Sequence, residues 1–330
     1  MFICSRFQSY TKQRKCKHKH GVDTMKQIKT SMLLMLLLAS AASCTDEKSE
    51  YLPQLYVSFT PAVTASTRAH SGEYPQDVPF GVWIYSLGEN KSWEKNRQEA
   101  TLLADNSIVT YNGGRWTNTP PVEWRGKQRL TVFAHSPYDD NVRYSNSKGV
   151  TIEDFDVTRG VYPLFTNSVV DCPGKRNGGC IALPFVPTLA KVEFRVRSMA
   201  QADSTLRVRS LTMENVHYKG SFQSFPQATW TATDETMSIE FCSSSMMVGS
   251  SSQTVGTQMV LPQTVLHHVT LTVDVYDGNG ALVVPGRKIV SRAIEGEWNV
   301  GKYYTYTLNL TTGSVTFTTD ILDNYDARNR

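Results

Sequence analysis

Apolar residues recur at every second position along most of this chain, with polar residues between them. The alternation gives each segment one apolar and one polar face, which is typical of half-buried antiparallel strands. Turn-forming sequences such as Asn112-Gly113-Gly114 and Asp277-Gly278-Asn279-Gly280 separate the segments and predict hairpins. The clearest alternating segments cover residues 55–59, 80–84, 130–134, 192–196, 269–275 and 304–310.

The pattern predicts an all-β protein built from sandwiches, because many short strands are joined by turns rich in Gly and Pro. Helical periodicity is not sustained anywhere, and only residues 93–104 predict a short helix. About 290 residues follow the N-terminal leader, a length that fits two tandem sandwiches better than one. We place the two domains at residues 45–182 and 183–330, with residues 1–44 outside both.

Residues 25–44 have the pattern of a secretory signal. Lys26 and Lys29 precede an apolar run, Met32 to Ala39, that is shorter than the roughly 20 residues needed to span a bilayer. Small residues then lead to Cys44, and this ending resembles a bacterial lipoprotein signal, in which the cysteine is lipidated. The alternative is ordinary cleavage nearby, with Cys44 left as a free thiol. Residues 1–24 are basic and lack apolar periodicity, so we expect translation to begin at Met25.

The charge of the chain depends on this leader. The full sequence carries +4, but residues 44–330 hold 26 of its 34 Lys and Arg and 29 of its 30 Asp and Glu, a net charge of −3. A basic surface for nucleic acid is therefore not predicted. Cys172 and Cys180 flank a short loop that a disulfide could close in an oxidising compartment, and the alternative is two free thiols.

Catalytic motifs do not emerge from the sequence. It has no nucleophile elbow, no phosphate-binding glycine loop and no HExxH pair, and we predict neither an enzyme nor a cofactor or metal site. Trp93, Trp116 and Trp124 lie near turns, where exposed rings could stack on sugars. The alternative, which we favour, is that these large aromatic side chains fill the sandwich cores.

Several motifs, taken in order, resemble one family. The fimbrillin family of lipoproteins, which supply subunits of the type V pilus, is similar to this chain over about residues 44–322. The shared features are the signal ending in Cys44, Thr67-Arg68-Ala69, Phe80-Gly81-Val82-Trp83, Gly114-Arg115-Trp116, residues 130–137 (LTVFAHSP), residues 185–196 (FVPTLAKVEFRV), Leu261-Pro262-Gln263 and Trp298-x-x-Gly301-Lys302-x-Tyr304-x-Tyr306.

The resemblance implies two transthyretin-like antiparallel β-sandwich domains without enzymatic activity. It also implies an outer-membrane lipoprotein at the cell surface that assembles with other fimbrial subunits by strand exchange. Arg68 is then the maturation site for an Arg-specific protease, and the alternative is a solvated loop residue. The displaced first strand carries Leu55, Val57 and Phe59, and we predict that Val315, Phe317 and Ile321 lie on the donor strand.

Two alternatives stay open at this point. The segment from Val315 to Ile321 could instead be the ordinary last strand of its own domain. The whole protein could instead be a monomeric surface lipoprotein that binds glycans through exposed aromatic side chains. In either case a host protein or a glycan could be its ligand.

Overall fold

A computed structural model describes residues 54–63, 72–174, 177–201, 203–242 and 244–323. Strands dominate the described residues, as the alternating pattern predicts. The first sheet is formed by β1 (Ser58–Val63), β2 (Gly72–Glu73), β3 (Phe80–Leu87), β4 (Thr101–Asn112), β5 (Arg115–Thr119), β6 (Arg129–Ser136), β9 (Leu164–Pro173) and β10 (Cys180–Pro187).

This first sheet closes on itself. Its strands follow the order β10-β9-β6-β3-β4-β5-β1, and β1 then pairs with β10 in parallel. The inward side chains form one core that includes Val82, Leu130 and Phe185. Because β1 is the strand that completes the ring, the first core is enclosed only while β1 is in place.

The C-terminal half forms a sandwich of two facing sheets. One holds β11 (Ala190–Ser198), β17 (Gln253–Val260), β22 (Lys302–Leu310) and β23 (Val315–Asp323). The other holds β12 (Ser204–His217), β15 (Thr236–Glu240), β16 (Met246–Val248), β19 (Val269–Asp277) and β20 (Leu282–Val290). A short pair, β18 (Gln263–His267) and β21 (Ile294–Trp298), lies beside them.

Inward residues of both C-terminal sheets share one core. Phe194 is fully buried there, with its ring centroid 5.2 Å from that of Tyr306 and 4.6 Å from that of Phe241. The alternation of residues 192–196 therefore predicts the buried face of this strand correctly. Glu193, on the other face, is not a free surface residue, because it accepts hydrogen bonds from Thr254 and Tyr303.

A further small sheet covers the outer face of the first one. It combines β7 (Arg143–Ser145) and β8 (Gly149–Asp156) with β13 (Lys219–Gln223) and β14 (Thr229–Ala232), and β8 pairs with β13. Trp83 and Phe133 point outward from β3 and β6 and are buried beneath it. These two strands are thus buried on both faces, which differs from the half-buried prediction.

The domain division is less simple than the sequence suggests. The boundary that we placed between residues 182 and 183 falls inside β10, whose pairing with β1 and β9 belongs wholly to the first sheet. The first sheet ends at Pro187, and β11 begins the C-terminal sandwich at Ala190. The pairing of β8 with β13 also links the two halves of the chain.

The short helix near residue 93 is confirmed over part of its predicted length. It comprises α1 (Trp93–Asn96) and a 3-10 turn (Arg97–Glu99), after which β4 begins at Thr101. Further 3-10 turns cover Val157–Arg159 and Asn177–Gly179. No helix among the described residues is long and apolar enough to cross a membrane. The predicted hairpin turns at Gly113-Gly114 and at Asp277 to Gly280 join β4 to β5 and β19 to β20.

Candidate functional site

The first strand is a structural part of the N-terminal core. Val57 and Phe59 are 1% and 3% exposed, and Leu55 packs against the same core from a half-buried position. The intervening Tyr56 and Thr60 face solvent, so the predicted phase of this strand matches the structure. The ring of Phe59 meets that of Phe80 edge-on, with 6.0 Å between the centroids.

The backbone of this segment is paired on both sides. Along one edge, Ser58 to Val63 run parallel to Cys180 to Phe185. Along the other edge, the Val57 N–H donates to the Val122 carbonyl at 2.9 Å, and the Leu55 carbonyl accepts from the Trp124 N–H at 2.7 Å. Removing residues 55–63 would therefore leave two unpaired strand edges above an apolar core.

The two edges differ in how tightly they hold β1. Six consecutive residue pairs join β1 to β10. The second edge is shared by three short stretches: a bridge between Tyr56 and Glu123, one pair between Phe59 and Trp116 of β5, and two pairs with β2. A crevice of about 420 Å³ opens beside this second edge and is lined by Phe59, Tyr74 and Trp116 among others. The seam between β1 and β5 is consequently the weaker side of the closed sheet.

The predicted donor segment coincides with β23, an edge strand of the C-terminal sandwich. Within the described part of the chain it pairs with β22 alone, from Val315 opposite Leu310 to Asp323 opposite Lys302. Val315 is buried, Phe317 is half-buried, and Ile321 is 58% exposed. The apolar face of β23 is thus only partly buried in this conformation.

Cys172 and Cys180 are both free thiols in the structure, and their disulfide stays a prediction. The Cys180 Sγ atom lies 2.9 Å from the Thr60 hydroxyl oxygen on β1. Burial, with a contribution from Asp171, raises the pKa of the Cys172 thiol. A raised pKa leaves less of the reactive thiolate, which slows oxidation of this residue.

Cys44 and Arg68 lie outside the described residues, so lipidation and maturation stay predictions. β1 ends at Val63, before Arg68, and the described chain resumes at Gly72 in β2. The sequence thus places Arg68 between the first strand of the sheet and the rest of the protein.

The favoured prediction, that the three tryptophans fill the sandwich cores, is confirmed for two of them. Trp116 and Trp124 are 6% and 5% exposed and belong to the N-terminal core, as the alternative that we favoured expects. The indole N–H of Trp124 donates to the Gln128 carbonyl at 3.0 Å, which fixes the ring in place. Trp93 is the half-exposed member of the set.

The sequence did not identify the partner of the first strand. β10 presents Ile181, Leu183 and Phe185 to the N-terminal core at alternating positions, so its strand character could have been found. Its parallel pairing with β1 could not, because it joins segments more than a hundred residues apart without a local turn signal.

The chain matches the family model described as fimbrillin-like over residues 67–323. Among solved structures, a fimbrial protein from Bacteroides vulgatus is similar, with a TM-score of 0.61 and 15% identity over 81% of this chain and 99% of that one. No curated protein matches the sequence.

Two further structures have been provisionally assigned as cell adhesion proteins. The one from Bacteroides uniformis has a TM-score of 0.53 and 15% identity, covering 82% of this chain and 98% of that one. The one from Bacteroides ovatus has a TM-score of 0.51 and 14% identity, with the same coverage. At identities of 14–15%, similarity to these structures establishes the fold alone. Family membership rests on the family model, which covers residues 67–323 and thus most of the sequence. The chain belongs to the fimbrillin-like family.

Proposed function

We propose that this protein is a fimbrial subunit that is exported as a lipoprotein anchored at Cys44 and assembles at the cell surface by strand exchange. Membership of the fimbrillin-like family supports the fimbrial role. Cleavage after Arg68 would sever the first strand from the rest of the protein, and a strand from another subunit would then replace it.

The observation that carries this proposal is a match between the two ends of the chain. Residues 57–63 read VSFTPAV, and residues 315–321 read VTFTTDI. Val57 and Phe59 correspond to Val315 and Phe317, and Val63 corresponds to Ile321. The apolar residues therefore recur at the same spacing, so the C-terminal segment can enter in the direction and register of the strand it replaces.

The pairing geometry favours the exchange. Among the strands that the structure describes, β23 has one neighbour, whereas residues 55–63 are paired along two edges, by β10 on one and by β5 and β2 on the other. Ile321 moves from an exposed place to that of Val63, which is fully buried. Burial of Val57, Phe59 and Val63 contributes roughly 5–9 kcal/mol, at about 1.5–3 kcal/mol for each side chain. An empty groove exposes unpaired backbone groups and apolar surface, so binding of a strand with the same apolar spacing is favourable.

Cleavage acts as the switch because the first strand is then no longer covalently tethered next to its groove. Before cleavage the first strand is tethered to its groove, and a strand from another molecule competes against a high effective concentration. After cleavage the segment up to Arg68 is a separate peptide, and its loss is permanent once it has diffused away.

Limited trypsin treatment of purified residues 45–330 tests this function. We expect oligomers that survive electrophoresis without boiling, and we expect Arg68→Ala to suppress them. Deletion of residues 314–330 should also suppress them while leaving cleavage at Arg68 intact. If Arg68→Ala polymerises as readily as the parent, cleavage there is not the switch. If no oligomers form in any sample, the protein is a monomeric surface protein and the proposal fails.

A further inference from the structure

A pocket of about 570 Å³ opens on the outer face of the first sheet, away from the groove of β1. Its size lies within the range of about 300–1,000 Å³ that is usual for small-molecule sites. The helix α1, the strands β6, β7 and β9, and the connection between β13 and β14 all contribute to its walls. Both halves of the chain are therefore needed to build it.

Four aromatic side chains belong to the lining of this pocket. Phe133 and Tyr144 stack with 4.1 Å between their centroids, and Trp93 lies 5.4 Å from Phe133 at an interplanar angle of 56°. Phe225 also lines the pocket and has 43% of its surface exposed. Burial raises the pKa of Tyr144, so its hydroxyl stays neutral, and it donates to the Asn146 side-chain oxygen at 3.3 Å.

Polar side chains also line the pocket, and hydrogen bonds hold two of them, Asn167 and Asp171, in position. The Asn167 amide donates to the Ser224 carbonyl at 3.1 Å and accepts from the Ser224 hydroxyl at 3.0 Å, so its orientation is set. One Asp171 oxygen accepts the Trp93 backbone N–H at 2.9 Å. Asp171 holds a φ of 55°, a conformation that non-glycine residues rarely adopt. Glu94 and Arg97 also belong to the lining.

We propose that this pocket binds a neutral oligosaccharide. The C–H faces of a sugar ring pack on Trp93 and Phe225, and its hydroxyls bond the amides of Asn146 and Asn167. Glu94 and Asp171 outnumber Arg97, which disfavours an anionic sugar. A quaternary ammonium ion is disfavoured as well, because the stacked faces of Phe133 and Tyr144 do not converge on one point.

Strand alternation separates this pocket from the polymerisation groove. Val132 and Ala134 point into the core that β1 completes, whereas Phe133 between them points to the pocket. Sugar binding and strand exchange therefore use opposite faces of β6. Variants of one site should leave the other unchanged, so a failure here and a failure of the fimbrial proposal can be distinguished.

The test titrates purified residues 45–330 with lactose, maltotriose, mannotriose and chitotriose, with sialyllactose and tetramethylammonium as charged probes. Calorimetry and saturation-transfer NMR report binding at millimolar concentrations. We expect at least one neutral sugar to bind, and we expect Phe225→Ala and Asn146→Ala each to weaken it at least tenfold. Leu266→Ala, which truncates a side chain that is 67% exposed on another surface, is the matched control.

Thermal unfolding of each variant must match that of the parent, and trypsin-induced oligomers should form as before. The proposal is overturned if no neutral sugar binds, or if sialyllactose binds more tightly than lactose. It is also overturned if tetramethylammonium alone binds, since the site is then a cage for ammonium ions. Binding that survives both pocket substitutions at parental affinity places the sugar elsewhere and overturns it too.

Discussion

Phe317 gives a quantitative test of the proposed donor strand, because its surroundings differ between the monomer and the polymer. In the monomer it is half-buried, with its ring 6.2 Å from that of Tyr306 and 4.8 Å from the Arg292 guanidinium. In the polymer it would take the place of Phe59, which is 3% exposed and packs against Phe80. A substitution at Phe317 should therefore weaken the polymer more than the monomer.

The expected difference follows from burial. Phe317→Ala should lower the free energy of unfolding of the monomer by roughly 1–2 kcal/mol, since only part of the side chain is buried. In the fully buried position the loss is about 3–5 kcal/mol. The excess of about 2 kcal/mol corresponds to an approximately 30-fold faster dissociation of polymers, because each 1.4 kcal/mol is a factor of ten.

Dissociation is measured by diluting preformed oligomers into urea below the unfolding midpoint of the monomer and following light scattering. Thr318→Ala is the matched control, since Thr318 is exposed on β23 and corresponds to Thr60, which is exposed in the first strand. The reasoning is refuted if Phe317→Ala destabilises the monomer as expected while its oligomers dissociate at the parental rate. The segment would then keep its place beside β22, and another strand would be the donor.

Three further predictions concern stability and anchoring. Gly81→Ala should lower the free energy of unfolding, measured by chemical denaturation, by about 1–3 kcal/mol, because the new Cβ would lie 2.2 Å from the His135 Nε2 atom. Gly88→Ala is its control and should have little effect, since no atom of the described residues lies within 4 Å of the new Cβ there. The hydrogen bond from Arg209 holds the pKa of Asp274 at about 2, below the ordinary value of 3.8. The wild-type protein should therefore be more stable than Asp274→Asn above about pH 4, and this difference should disappear as the pH falls towards 2. Urea unfolding midpoints of both proteins, measured across that pH range, test this. Cys44→Ala should release the protein from the membrane fraction, and unchanged fractionation would contradict lipidation.

The sequence predicted which segments form strands better than it predicted what covers each face of those strands. Alternation identified the core faces of residues 55–59 and 192–196, because a side-chain period of two depends on the backbone alone. It failed to show that β3 and β6 are buried on both faces. Trp83 and Phe133 stood at positions that the pattern assigned to solvent, and their size was the available signal.

In the candidate site, too, local features could be predicted from the sequence and long-range contacts could not. The first strand and the C-terminal edge strand, which we propose as the displaced and the donor strand, could be found from local pattern and resemblance. The closed order of the first sheet, the weak seam at Trp116 and the outer pocket could not, because each depends on contacts between residues distant in sequence. Long-range pairing leaves no local periodicity from which to infer it.

The pairing of β8 with β13 has a consequence for the order of folding. A chain emerges from its N-terminus, so the first sheet can form while Trp83 and Phe133 still lack the cover that residues 219–232 provide. Exposed aromatic surface of this kind promotes aggregation of partly folded chains. The outer face of the first sheet is therefore completed late, and a fragment that ends at the close of that sheet should be prone to aggregation. The N-terminal region therefore needs residues from the C-terminal half to bury the aromatic side chains on its outer face.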